Sequence, residues 1–258
     1  VPHRDDDSHT ALTWLAAAGQ WVGEPIPGTA GVRAGLRPAD LTLTVGDAAD
    51  PAARRLALAG RTRDHGLGWL REQLAELGVD AGAVVLDFHF EMPAHAVAEG
   101  AAFRAGLAPG FQELARYYAD GSLLLEEIAA GHAGASAVLT WPHHFDVGLV
   151  VSLGGDRTVG VGLSPGDETY AEPYFYVNAW PVPEDVEPPE LPLGGWQTAN
   201  FFAAVLTATE LLADGEEDQA TRARAFLAAA VEAARALVSP PSSTPSPAPA
   251  PGRRAAAT

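Results

Sequence analysis

The sequence predicts an α+β fold: a largely antiparallel sheet packed with helices in a single domain. Three observations carry this. Several short stretches alternate apolar with polar or small residues, and longer ones repeat their apolar residues at helical spacing. The two kinds come in blocks rather than in the strict alternation that builds a parallel sheet.

Taken in order, residues 1–9 ("VPHRDDDSH") are acidic and polar, and read as a flexible N-terminus rather than a signal peptide. Residues 10–238 read as the single α+β domain, opening with a helix over 10–21 that Gly23, Pro25 and Pro27 stop. Leu41, Leu43 and Val45 alternate with Thr42 and Thr44 as a half-buried strand, and "RRLALAG" is its antiparallel partner across "DAADP". Leu67, Leu70, Leu74 and Leu77 form one stripe of a helix over 63–77, ended by Gly78. "AVVLDFHFEMP" reads as a strand. Leu114, Tyr117, Leu124 and Ile128 predict a helix over 110–130, with Gly121 a candidate break. "AVLTW", "FDVGLVVSL", "TVGVGLS" and "EPYFYVNAW" read as four strands, and helices over 197–212 and 218–237 close the domain. Residues 239–258, rich in Pro, Ser and Ala, read as a disordered tail that cannot bury enough apolar surface to order itself.

Composition removes whole classes of chemistry. All sixteen basic residues are arginine and there is no cysteine, which excludes Schiff-base and P-loop lysines, thiolate metal sites and disulfides. The formal charge of −17 repels phosphate backbones and anionic lipid, so neither nucleic acid nor a membrane is an expected partner. No apolar run approaches the ~20 residues needed to span a bilayer. A cytoplasmic protein is the expectation, and nothing in the pattern specifies an oligomeric state.

Side chains on a strand alternate between faces. Phe145, Val147, Leu149, Val151 and Leu153 make an apolar face, as do Val159, Val161 and Leu163. Putting both apolar sets on one side of the sheet pairs odd with odd, which needs an odd-length loop between the strands. The opposite face is then almost bare, with Gly148, Gly160 and Gly162 beside small serines. Glycine inside strands weakens them, so something comes close there: a helix packed on the sheet, or a ligand lying on a glycine floor. In "EPYFYVNAW", Phe175 and Val177 join the core, which sends Glu172, Tyr174 and Tyr176 to the face of Asp146; Pro173 marks an edge or a bulge.

Two clusters combine imidazole with carboxylate: His143, His144 and Asp146 in "TWPHHFDVG", and His89, Glu91 and His95. His-x-Glu on a strand sets both side chains on one face about 7 Å apart, within reach of a divalent metal such as zinc or iron. The simpler expectation is no cofactor, because a histidine beside a carboxylate performs acid/base work unaided. The candidate catalytic residues are His143, His144, Asp146 and Glu172, with Trp141, Tyr174, Tyr176, Gly160 and Gly162 lining a small-molecule site. A serine-hydrolase elbow and a Rossmann fingerprint are both missing. The functional expectation is a small-molecule site, with acid/base or hydrolytic chemistry if the protein is an enzyme. The competing expectation is a non-catalytic module whose polar cluster is a buried hydrogen-bond network that fixes sheet register.

"WPHHFDVG" followed by "GVGLSPGDETYAEPYFYVNAWP" resembles a bacterial domain-of-unknown-function family in which a Phe-Asp strand precedes a Glu-Pro-x-Phe-Tyr strand and closing helices. Phe145 and Asp146 match the first motif, and Glu172, Pro173, Phe175 and Tyr176 the second. The distant members lack histidines where His143 and His144 stand. The resemblance implies no activity, and places the emphasis on Asp146 and Glu172.

Overall fold

In the computed structural model, which describes residues 1–86, 94–183, 186–213, 215 and 218–239, the first ordered elements are strands where a helix was expected. β1 (Thr13–Leu15) and β2 (Gln20–Val22) pair antiparallel with Trp14 opposite Trp21, across a turn completed by Gly19 at φ +59°. Alanine content lends this segment a helical look, but tertiary packing overrides propensity. The hairpin sets the two indoles edge to face at 5.4 Å and leaves Trp21 only 1% exposed.

β3 (Arg33–Arg37), unread in the sequence, follows, then β4 (Thr42–Gly46) and β5 (Arg54–Ala57), giving a five-stranded sheet in chain order. The expected pairing of β4 with "RRLALAG" is present, with Leu43 opposite Leu56. α1 (Arg63–Ala75) starts at Thr62, whose hydroxyl accepts from the His65 amide. The strand expected in "AVVLDFHFEMP" falls largely on residues 87–93, outside the described residues, and 84–86 are not strand.

α2 (Ala108–Gly131) runs unbroken through Gly121. That glycine is there for closeness to the sheet: a Cβ would stand 2.7 Å from a Leu163 methyl and 3.4 Å from one of Val147. The second sheet follows as β6 (Leu139–Thr140), β7 (Val147–Ser152), β8 (Thr158–Ser164), β9 (Tyr174–Trp180), β10 (Gly195–Gln197) and β11 (Ala203–Thr207). Its order is β10-β11-β9-β8-β7-β6, antiparallel throughout. The helix expected over 197–212 is therefore a hairpin followed by the short α3 (Ala208–Leu212). "AAVLT" is buried between two strands, and helix begins only where the Thr207–Glu210 capping box supplies the first amides with acceptors. α4 (Gln219–Val238) ends the described chain; residues 240–258, read as a tail, lie outside it.

Val147 faces Leu163 and Val161 faces Val177, so the odd residues of β7, β8 and β9 share one side, and residues 153–157 make the odd-length loop that this register requires. That side packs with Tyr118, Leu124 and Leu125 of α2 and Phe226, Leu227 and Val231 of α4. β9 is central, and Pro173 stands just before it rather than at a sheet edge. Leu12 and Thr140 exchange two backbone hydrogen bonds of 2.8 Å, and the Trp21 indole N–H donates to the Thr140 hydroxyl at 3.2 Å. The two sheets thereby share one core, the α+β domain the pattern predicted. Among the described residues, no helix is long and apolar enough to cross a membrane.

Thr140 is fully buried. Thr140→Val should destabilise the fold by about 1–3 kcal/mol by leaving the buried Trp21 N–H without an acceptor, while Thr140→Ser should recover most of the loss. Chemical denaturation of both variants measures this.

Candidate functional site

The opening of β7 is built by backbone closure. Within residues 141–146 the Phe145 N–H donates to the Trp141 carbonyl at 2.7 Å, and the Trp141 N–H to the Asp146 carbonyl at 2.8 Å. This tight loop places Phe145 at φ +60°, a left-handed conformation uncommon for a residue with a Cβ. The Tyr118 hydroxyl donates to the Phe145 carbonyl, and the Phe145 ring packs edge-on against Trp21 and Tyr118. Strand geometry begins at Val147, after Asp146.

Asp146 is half-buried, and its carboxylate accepts from the Tyr176 hydroxyl. The Tyr176 ring lies across the strands over Gly162: a Cβ there would overlap it, and one on Gly148 would stand 3.3 Å from its hydroxyl. Asn178 covers Gly160 likewise and accepts its N–H at 3.0 Å. The bare face thus carries side chains of β9, and among the described residues neither a helix nor an open floor lies on Gly160 and Gly162.

Beside this pair the Tyr174 hydroxyl donates to Asp167 at 2.6 Å. Asp167 also accepts the Thr169 and Tyr170 amides, an Asx turn in "SPGDETY". Burial alone would raise its carboxyl, but the Tyr174 hydroxyl, those amides and the nearby His144 imidazole hold it below the ordinary value. His143 and His144 are exposed, with ring centroids 4.8 Å apart, and Trp141 stacks edge-on to His143 at 6.2 Å. Glu172 has a different neighbourhood. Its carboxylate accepts the amide and hydroxyl of Thr209, both at 2.7 Å, in the first turn of α3. The structure brings Asp146, Tyr176, Tyr174 and His144 to one end of the sheet and gives Glu172 to α3. His95 accepts the Ala98 amide on its own Nδ1 at 3.1 Å, while His89 and Glu91 lie outside the described residues.

The same end of the sheet borders a cavity of about 460 Å³ between α2, α3 and α4. Leu163, Phe175 and Leu206 form its apolar base, and Leu211 of α3 its wall. Of the residues predicted for the site, Tyr174 alone lines it. Spacing alone marks Tyr117 as a core position. It too lines the cavity, and its buried hydroxyl has no hydrogen-bond partner among the described residues. Burial, then the fields of Tyr118, Asp146 and Tyr174, push the Tyr117 phenol up strongly. Tyr118 is raised by burial and Asp146, Tyr176 by burial and Asp146, and Tyr174 to about 12 by burial and Asp167. All four stay protonated near neutrality, and Tyr118, Tyr174 and Tyr176 donate to the Phe145 carbonyl, Asp167 and Asp146. Two adjacent tyrosines inside an alanine- and leucine-rich helix were the available signal for Tyr117 and Tyr118; the Asx-turn composition was the signal for Asp167.

Among known proteins, no family model, no curated protein and no solved structure matches this chain.

Because these phenols are raised above the ordinary value of 10.0, the stability tied to their neutral form is complete below pH 10. It declines as unfolded-state tyrosines ionise above that pH, and is lost as pH rises through the folded values. Tyrosinate absorbance from these four residues should therefore appear together with loss of helical dichroism, between pH 10 and about 12. Full tyrosine ionisation near pH 10 in a chain that keeps its dichroism would contradict this assignment.

Proposed function

We propose that this protein binds a small, neutral, largely apolar molecule in the cavity between α2, α3 and α4, with the Tyr117 hydroxyl donating to an acceptor oxygen on it. The observation that carries the reading is a buried phenol without a partner among the described residues, in the wall of an apolar cavity of ordinary ligand-site size. The lining disfavours a charged ligand: Glu113 is paired with Arg116 and Arg224 with Glu127, which leaves Asp120 to repel an anion, while the apolar base of Leu163, Phe175 and Leu206 would desolvate a charge of either sign. A carboxylate ligand there would meet like charge.

In this reading the sequence-derived residues support the site. Glu172 fixes the first turn of α3, whose Ala208, Leu211 and Leu212 border the cavity. Asp167 holds Tyr174 in the lining, and Asp146 holds Tyr176, whose ring stands 6.2 Å from that of Tyr174. A second reading, acid/base chemistry, is favoured by the sequence of groups His144, Asp167 and Tyr174, which connects an exposed imidazole to a residue lining the cavity. It calls for a substrate at Tyr174, with His144 exchanging protons with solvent.

Nile red, neutral and carbonyl-bearing, is a direct probe. It should bind one-to-one with blue-shifted emission, and Ala220→Trp, at the exposed mouth, should abolish binding. Tyr117→Phe should weaken binding by about 0.5–1.5 kcal/mol without lowering stability, because its hydroxyl gives up no internal bond. Equal binding by wild type and both variants would dispose of the cavity as the site.

A further inference from the structure

The N-terminal turn carries a second cluster, which shares no residue with the cavity lining. Its fold is defined by short-range bonds: the Asp7 N–H donates to the Arg4 carbonyl at 3.1 Å, and the Thr10 N–H to the Asp7 carbonyl at 2.9 Å. Asp6 accepts both the amide and the hydroxyl of Ser8. The turn is tied to the domain by the Arg4–Glu24 ion pair at 3.1 Å and by the Leu12–Thr140 bridge two residues after it closes. Asp7 sits at φ +58°, a backbone conformation that disfavours a residue with a Cβ and persists only where its surroundings impose it.

The product of this turn is a convergence of donors. One ligand atom each from His3, Asp7 and His9 lie within 4.8 Å of one another, and the two imidazole rings meet edge to face at 4.8 Å. We propose that His3, Asp7 and His9 form a binding site for a divalent cation of the zinc type, with water completing the tetrahedron. Two imidazoles and one carboxylate suit zinc and its borderline neighbours, whereas calcium and magnesium take oxygen donors. Donors about 2.0–2.2 Å from a tetrahedral zinc lie roughly 3.4 Å from each other. The cluster has to contract, and His3, which is exposed, can turn without breaking core packing. The surrounding field favours a cation, since the chain carries −17 and the Arg4 guanidinium is neutralised by Glu24.

Binding has one internal consequence. The Arg4 N–H donates to His9 Nδ1 at 3.2 Å, so that nitrogen is an acceptor and the ring proton sits on Nε2. A cation bound at Nδ1 takes over that lone pair; one bound at Nε2 moves the ring proton to Nδ1. Either way the Arg4 bond is given up, and the Arg4 amide reports occupancy of the site.

The test is calorimetric titration of the full chain, prepared without a histidine tag, with zinc chloride alone. A saturable one-to-one isotherm is expected, with a shift of the Arg4 amide resonance at the same stoichiometry. His3→Ala and His9→Ala should each weaken binding by more than about tenfold, since even outer-shell partners of a metal are worth that much. Asp7→Asn, which keeps the shape and removes the charge, should also weaken it. No binding by the wild type overturns the proposal. So does zinc binding that survives His3→Ala/His9→Ala and disappears in His143→Ala/His144→Ala. Circular dichroism of each variant separates lost ligands from a lost fold, and Nile red binding should be unaffected throughout.

Discussion

A phenol laid across a strand of glycines, with its hydroxyl on a half-buried carboxylate, is the constraint around which this end of the molecule is arranged. Tyr176 needs bare backbone beneath its ring, which explains why Gly148 and Gly162 interrupt two valine-rich strands. Glycine weakens a strand by exposing backbone and adding chain entropy, and an aromatic ring from the neighbouring strand compensates by covering it. The hydroxyl then needs a partner, because an unpaired polar group in that position loses its hydration without return. Asp146 supplies it, and the histidine-bearing loop of 141–146 exists in a form that puts Asp146 there. The loop's left-handed residue, Phe145, is held by the hydroxyl and ring of Tyr118 in α2 and by the Trp21 ring of the first sheet.

That arrangement has consequences on the helix side. Tyr117 and Tyr118 are consecutive in α2 and meet opposite fates: Tyr118 donates its hydroxyl to the Phe145 carbonyl, and that of Tyr117, in the cavity wall, has no partner among the described residues. Gly121, one turn further, lets α2 approach Leu163 and Val147 closely, which brings the helix down beside the sheet end. α3 closes the other side because Glu172 and the Pro173 carbonyl accept its first two amides. Stability and cavity shape thus draw on the same few residues.

Much of this was legible. Parity alone sorted β7, β8 and β9 onto the correct faces and required the odd-length 153–157 loop, because both strands had one apolar face to bury. It also put Asp146 and Tyr176 on one side. It failed for Glu172 because parity holds only within a strand, and β9 starts at Tyr174. The hairpins β1–β2 and β10–β11 were hidden by alanine, whose helix preference is a weak prior against indole pairing and burial between strands. Helical spacing marked Tyr117 as a core residue, and no sequence pattern reports that a hydroxyl will lack a partner.

The central claim is that Tyr176 and Asp146 depend on each other, and a double-mutant cycle measures that dependence directly. Tyr176→Phe keeps the ring over Gly162 and removes the donor; Asp146→Ala removes the acceptor. Unfolding free energies of wild type, both single variants and the double variant should show a coupling of about 1.5–3 kcal/mol, the range for a hydrogen bond to a charged group. Losses that add to within about 0.5 kcal/mol, as they do for residues that do not interact, would contradict the account.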